Sequence, residues 1–254
     1  MFHYLKSTMK KSIVIVIIII VAAGAFFAWQ KEWFRGGEEP TIGLREDLPP
    51  APAGYKTINE DSTIAAEIPP DVAVKYQEGF EELVKTIEEH PDSFGAWFNL
   101  GSVKNVFGDY KGAEEAWLYA TEISPLQARS LMNLADLYRY KLKDYQKTEW
   151  AYTTAVERND ASVDPISLYY EFASFYRNSY TEKKELAIPL LEQGLKIEVD
   201  NNSELLALAG MWAWEDGQFE KAAGFYEQYL VLNPDQVEAK KDLERIHRRE
   251  PLQT

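Results

Sequence analysis

Between residues 96 and 125 the chain reads AWFNLGSVKNVFGDYKGAEEAWLYATEISP, and the order of large and small side chains leaves few ways to fold it. Trp97 and Leu100 lie one helical turn apart with Gly101 beside them. Tyr110, Ala113, Trp117 and Ala120 then repeat the alternation, and Pro125 ends the run. Residues three and four apart share one face of a helix. The small ones mark where a second helix must come close, and the large ones where a gap must be filled. The stretch therefore predicts a tight helical hairpin.

The spacing recurs. Leu131, Leu134, Ala135 and Tyr138 take the places of Trp97, Leu100, Gly101 and Lys104, and Thr148, Tyr152 and Ala155 follow after one extra residue near Lys143. A third unit uses Tyr169, Phe172, Ala173 and Tyr176, then Ala187, Leu191 and Gly194 after a longer turn around Asn178 to Glu182. A fourth uses Leu206, Ala209, Gly210 and Ala213, then Ala222, Tyr226, Tyr229 and Pro234. One hairpin cannot bury its apolar surface alone, but stacked hairpins share a continuous core.

A unit of about 34 residues built this way resembles the tetratricopeptide repeat (TPR) family. The resemblance covers residues 94–236. It is nearly complete over 94–127 and looser over 128–162, 163–201 and 203–236. Departures are Lys104 where an aromatic is usual, Thr148 where a small residue is usual, and Pro189 early in a helix, tolerable only within its first turn. The implied fold is all-α: a right-handed α-solenoid of roughly four hairpins with flanking helices. A leading helix is expected over 71–90, capped by Asp71, with Val72, Tyr76, Phe80, Leu83 and Ile87 on one face. A capping helix is expected over 237–249, where Ala239, Leu243 and Ile246 supply the few apolar contacts and the outer face is polar.

In TPR proteins the first helices of successive hairpins line a concave groove that holds a peptide. Carried over by register, that groove would present Phe98, Ser102 and Asn105 from the first unit. The second unit would give Arg129, Met132, Asp136, Arg139 and Tyr140. Tyr170, Ser174, Arg177 and Asn178 come from the third, and Ala207, Met211 and Trp214 from the fourth. Arginine beside aromatic residues is an interface composition, and inward arginines on an acidic protein would favour an acidic peptide. The family's clamp for a C-terminal carboxylate is not expected, because Phe98 and Ser102 stand where its first Lys and Asn would be.

Ahead of the repeats, the run from Ile13 to Trp29 is apolar without interruption, about 17 residues and near the lower limit for a membrane-spanning helix. Residues 12–29 are read as a signal anchor, with Trp29, Trp33 and Phe34 at the interface. The short basic tail, 1–11, places the N-terminus in the cytoplasm and the acidic body, 71–250, outside it. The alternative is a signal peptide cleaved near Ala25, since Ala23-Gly24-Ala25 fits a small-x-small site. Residues 30–70, rich in Pro and acids, read as a tether lacking the large apolar residues that would offset ordering entropy.

Charge and composition exclude other classes. The net charge of −14 repels phosphate backbones, so no nucleic-acid partner is expected. The absence of cysteine removes thiolate chemistry and cysteine-ligated zinc. His3, His90 and His247 lie in separate regions, and no nucleophile elbow, phosphate loop or dinucleotide fingerprint is present. No metal, cofactor, small-molecule substrate or enzymatic activity is expected. The arrangement of basic tail, single anchor and acidic repeat body resembles bacterial inner-membrane helpers of secretion and envelope assembly. It implies a scaffold or adaptor for a protein partner. The alternatives are a structural subunit of a larger membrane-associated complex, then an enzyme with an unrecognised site.

Overall fold

The computed structural model describes residues 47–159, 161–197 and 202–252, and among them the regular structure is helical throughout. A leading helix, α1 (Pro70–Glu89), precedes the hairpins. These are α2 (Phe94–Val106) with α3 (Tyr110–Ile123), α4 (Arg129–Asp136) with α5 (Tyr145–Arg158), α6 (Pro165–Asn178) with α7 (Ala187–Gly194), and α8 (Ser203–Glu215) with α9 (Phe219–Leu232). Helix α10 (Val237–His247) closes the stack. Each helix packs on its neighbours in chain order, which makes the described body an all-α solenoid. The apolar run 13–29 lies outside the described residues; among those described, no helix is long and apolar enough to cross a membrane.

Local chemistry sets the helix starts. Ser93, Asp109, Asp144 and Asp164 each accept a hydrogen bond from a backbone N–H of the first turn that follows, satisfying donors that have no intrahelical partner. Helix α1 begins differently from expectation. Pro70 opens it, and Asp71 lies inside the first turn without capping. Proline suits that first position because its missing N–H is one the helix would leave unpaired anyway.

The predicted close approach in the first hairpin is present. The indole of Trp117 covers Gly101, and a Cβ there would sit 2.5 Å from Nε1. That nitrogen donates to the Phe98 carbonyl at 3.0 Å. Helix α3 divides the core. Ala116, Tyr119, Ala120 and Ile123 join a cluster around Trp97, whereas Ala113 and Trp117 join a second cluster that runs on to Ile246.

The irregularities read in the sequence are absorbed locally. The extra residue after α4 becomes a wide π turn over Leu137–Leu142, closed by Lys143 in left-handed backbone at φ 55°. Thr148 is fully buried in its small-residue place and returns its hydroxyl to the Asp144 carbonyl at 2.8 Å. Pro189 is the third residue of α7, where no intrahelical N–H is needed.

Successive hairpins are joined by a repeated polar staple. Tyr138 donates to Glu114 at 2.8 Å, and Lys147 reaches the same carboxylate at 2.7 Å. One unit later Tyr176 and Lys183 converge on Glu149, each at 2.7 Å. Burial and the facing carboxylates push both phenols up. Burial also opposes ionisation of Glu149, but the bonds from Lys183 and Tyr176 outweigh it and hold that carboxyl below its ordinary range.

In the first hairpin the equivalent position is Lys104, and it accounts for the main departure from the expected organisation. Residues 47–69 are not a free tether. They turn through a 3₁₀ segment (Ala53–Lys56) and a short helix (Ser62–Ala65) and lie against the first hairpin. Tyr55 packs on Trp97 with ring centroids 5.4 Å apart, and Leu48, Ile58 and Ile68 join the same cluster. Lys104, only 1% exposed, donates to the Gly54 carbonyl at 3.1 Å, to the Thr57 carbonyl, and to Asp109 at 2.8 Å. Asp109 also accepts from Asn59 N–H, the Phe107 carbonyl accepts from Asp61, and Tyr119 donates to the Pro49 carbonyl. Gly108, at φ 78°, admits this strap: a Cβ there would sit 2.8 Å from Asp61 and 2.9 Å from Ile64. The prolines exclude a long helix but leave an extended chain free to dock, and a few apolar residues suffice because the hairpin supplies the rest of the pocket.

Two substitutions test this packing. Gly101→Leu is expected to cost about 1–3 kcal/mol by driving a side chain into Trp117, measured by urea denaturation. Lys104→Ala leaves Asp109 buried without its cation, which costs about 3–5 kcal/mol. It should also open residues 54–61 to limited proteolysis, whereas the wild type is cut there only on global unfolding.

Candidate protein-binding face

The first helices α2, α4, α6 and α8, with the π turn that follows α4, carry the residues that the TPR resemblance assigns to a groove. Phe98 is half-buried, stacked on Phe94 at 5.8 Å. Met132 and Met211 are half-buried against the larger core cluster. Tyr140 and Tyr170 are exposed at 49% and 37%, unusual for rings on a packed scaffold. Asn105 and Arg129 are partly buried, and each hides one polar atom, Oδ1 and Nε respectively, that has no hydrogen-bond partner.

Three of the assigned residues are not free to bind. Arg139 is buried, since the π turn aims it into the next hairpin. There it donates to Ser179 at 2.9 Å, to the Ser174 carbonyl at 3.2 Å and to Glu171 at 3.4 Å. Arg177, one unit later in the same register, donates to Asp216 and Glu215 at 2.7 Å each and lies over Trp212. Trp214, next in that register, is 1% exposed. Arg245 covers its ring, and its Nε1 donates to the Glu250 carbonyl at 2.7 Å. The last hairpin has no following hairpin, so the C-terminal helix and tail fold over it. Arg139 and Arg177 therefore act as staples between first helices. The expected preference for an acidic peptide loses Arg139 and Arg177, whose charges are met by Glu171, Glu215 and Asp216, and keeps only Arg129.

Besides Arg129, what remains charged on this face is acidic. Asp136 makes no hydrogen bond or ion pair among the described residues, and three of the five Arg139 N–H groups go to Ser179, Glu171 and the Ser174 carbonyl. Although Asp136 is exposed on its outer side, protein surrounds the carboxyl elsewhere. That burial, and then repulsion from Glu171, push it up to about 6 against the opposing pull of Arg139. Tyr152 is fully buried between Phe172 and Phe175, with ring centroids 5.2 and 5.8 Å away. Its hydroxyl lacks a hydrogen-bond partner. The Arg139 guanidinium lies beside it, and the charges of Asp136 and Glu171 reach it. Register places Asp136 on this face and Tyr152 in the core; it does not reveal that both end in unpartnered polar groups.

Elsewhere the described residues show no catalytic arrangement. No group of three metal-ligating side chains comes together among them. His90 and His247 sit at the ends of α1 and α10, and His3 lies outside the described residues. A surface cleft of about 480 Å³ near Pro189 and Lys221 is lined by charges of both signs, with no aligned acid and base.

No family model matches the sequence, and no curated protein matches it. Among solved structures, the chain is similar to YrrB, described as a TPR protein with an unusual peptide-binding site. The TM-score is 0.47 at 17% identity, over 65% of this chain and 82% of that one. It is also similar to the APC/C hetero-tetramer Cut9-Hcn1, with TM-score 0.43 and 15% identity over 68% of this chain, spanning 33% of that chain. Neither likeness bears on what this chain binds.

The state of Asp136 predicts a pH effect. Its folded-state value lies above the ordinary one, so the associated stability is fully present below about pH 4 and is lost as pH rises through the folded value near 6. Asp136→Asn should melt like the wild type at about pH 4 and at a higher temperature at about pH 8. Equal melting at both pH values would contradict the assignment.

Proposed function

We propose that this chain is a membrane-tethered scaffold that binds a protein or peptide partner along the face formed by α2, α4, α6 and α8. The observation that carries the reading is the set of unpartnered buried polar atoms on that face, Asn105 Oδ1 and Arg129 Nε. Such atoms cost about 1–3 kcal/mol each when left unmade, and the backbone of a bound peptide offers both donors and acceptors. Tyr140 and Tyr170, exposed in the second and third units, are side chains of the kind that dominate interfaces. The tether is residues 12–29, with the N-terminus in the cytoplasm and the repeat body on the other side, where it recruits partners at the cell envelope.

A second reading, a fixed subunit of a larger secretion or envelope-assembly complex, is favoured by one feature. Val231, Leu232 and Val237 form an exposed apolar group at the far end of the stack, 79%, 48% and 60% exposed. A contact there would use the end of the solenoid and not the first-helix face.

Photo-crosslinkers placed at Met132 and Tyr170, at Val231, and at Thr153 on α5 separate the readings in intact membranes. Discrete adducts from Met132 and Tyr170 but not Thr153 are expected for the scaffold. One stoichiometric adduct from Val231 alone favours the subunit. Release of the full chain from membranes by alkaline extraction, or a mature N-terminus at Phe26, removes the tether.

A further inference from the structure

We infer that the docked strap is stored length. When the chain ahead of Asp47 and the repeat body are pulled apart, residues 47–69 come away first, lengthen the connection and uncover the front of the first hairpin while the hairpins stay folded. This device is independent of both binding readings above: it asks only that the two parts of the chain be held by different objects. The first observation behind it is depth. No residue from 47 to 69 is buried, and Leu48, Tyr55, Ile58 and Ile68 are only half-buried. The next element, α1, buries Val72, Phe80, Leu83 and Ile87. Apolar area withdrawn from water sets most of what holds an element down, so the strap is held less firmly than the helix behind it. The exposed Lys56–Glu88 ion pair that joins the two adds little.

The second observation is the layout of the polar bonds. From the upstream end, the Tyr119 hydroxyl holds the Pro49 carbonyl at 3.0 Å, and the Lys104 ammonium holds the Gly54 and Thr57 carbonyls. The Asp109 carboxylate then accepts from Asn59 N–H at 3.2 Å, and the Phe107 carbonyl accepts from Asp61 N–H at 2.9 Å. These bonds are spread along the strap, so a pull from its upstream end meets them in turn. Each is replaced by bonds to water as it opens, which makes its net contribution small. The third observation is what stays behind. Lys104 and Asp109 bond each other at 2.8 Å, so departure of the strap leaves neither charge unpaired and readmits water to both. The contact that builds the first hairpin, Trp117 on Gly101, involves no strap residue. The emptied bed therefore keeps its shape, and the strap can return to it.

The test is single-molecule extension of the full-length chain in detergent. The chain has no cysteine, so two introduced ones, Glu46→Cys and Thr153→Cys, take the handles of an optical trap without competition. Thr153 is exposed on α5 and lies outside the strap. Fully extended, residues 47–69 span at most about 80 Å. The expected record is a first, reversible step whose gain in length stays below that ceiling, followed by steps at higher force. Tyr55→Ala should lower the force of the first step and leave the later ones in place. Phe80→Ala, which weakens α1, should lower a later step and leave the first in place. A first gain above the ceiling means that α1 leaves with the strap, and it overturns the inference. So does a first step indifferent to Tyr55→Ala, or a record with no step before the hairpins open. None of these outcomes touches the binding readings, which the crosslinking experiment decides.

Discussion

A helical hairpin with large and small residues on both sides needs a neighbour on each side, and every other feature of this molecule follows from that requirement. Inside the stack the neighbour is the next hairpin, and the fit is close enough that a Cβ at Gly194 would sit 2.8 Å from Leu205 of the following one. The two ends are the difficulty, because there the apolar surface has no hairpin to meet. The chain solves them differently. At the front, an extended segment carrying Tyr55 and Ile58 covers Trp97 and Leu100, and buried Lys104 ties its carbonyls to Asp109. At the back, α10 and its tail cover Trp214.

Polar bonds then fix how each hairpin sits on the next. Tyr138 with Glu114, and Tyr176 with Glu149, hold second helices to the following first helices. Arg139 and Arg177 hold consecutive first helices together. These bonds recur in register, so the face of the first helices inherits a fixed spacing. They also engage Arg139 and Arg177, which leaves Arg129, the exposed tyrosines and Asp136 as its unspent groups.

Much of this was legible in the residues. Periodicity and turn signals act within a few positions, so the first hairpin could be drawn from Trp97, Gly101, Trp117 and Pro125 alone, whereas the one cap expected, Asp71, does not cap. The strap could not, because its bonds join residues about fifty apart, as Lys104 to Gly54. One signal was available: a lysine in a register that faces the core demands a buried acceptor. The candidate face was only partly legible. Register put Phe98, Met132 and Tyr170 on first helices and Tyr140 in the turn after one, but whether an arginine points outward or at a neighbour depends on that neighbour's side chains. Glu171 and Asp216 answer that question for Arg139 and Arg177 only once the helices are stacked. Trp214 was misplaced because the tail that hides it returns from beyond the last repeat.

The docked strap has a mechanical consequence. Residues upstream of Asp47 are joined to the solenoid through a segment whose carbonyls are gripped by Lys104 and whose ring is wedged on Trp97. Tension arriving from that side is therefore borne first by the Lys104 contacts and the Tyr55–Trp97 stack, before it reaches the end of α1. Load applied from the N-terminal side would reach the first hairpin through this joint before it reached the later repeats.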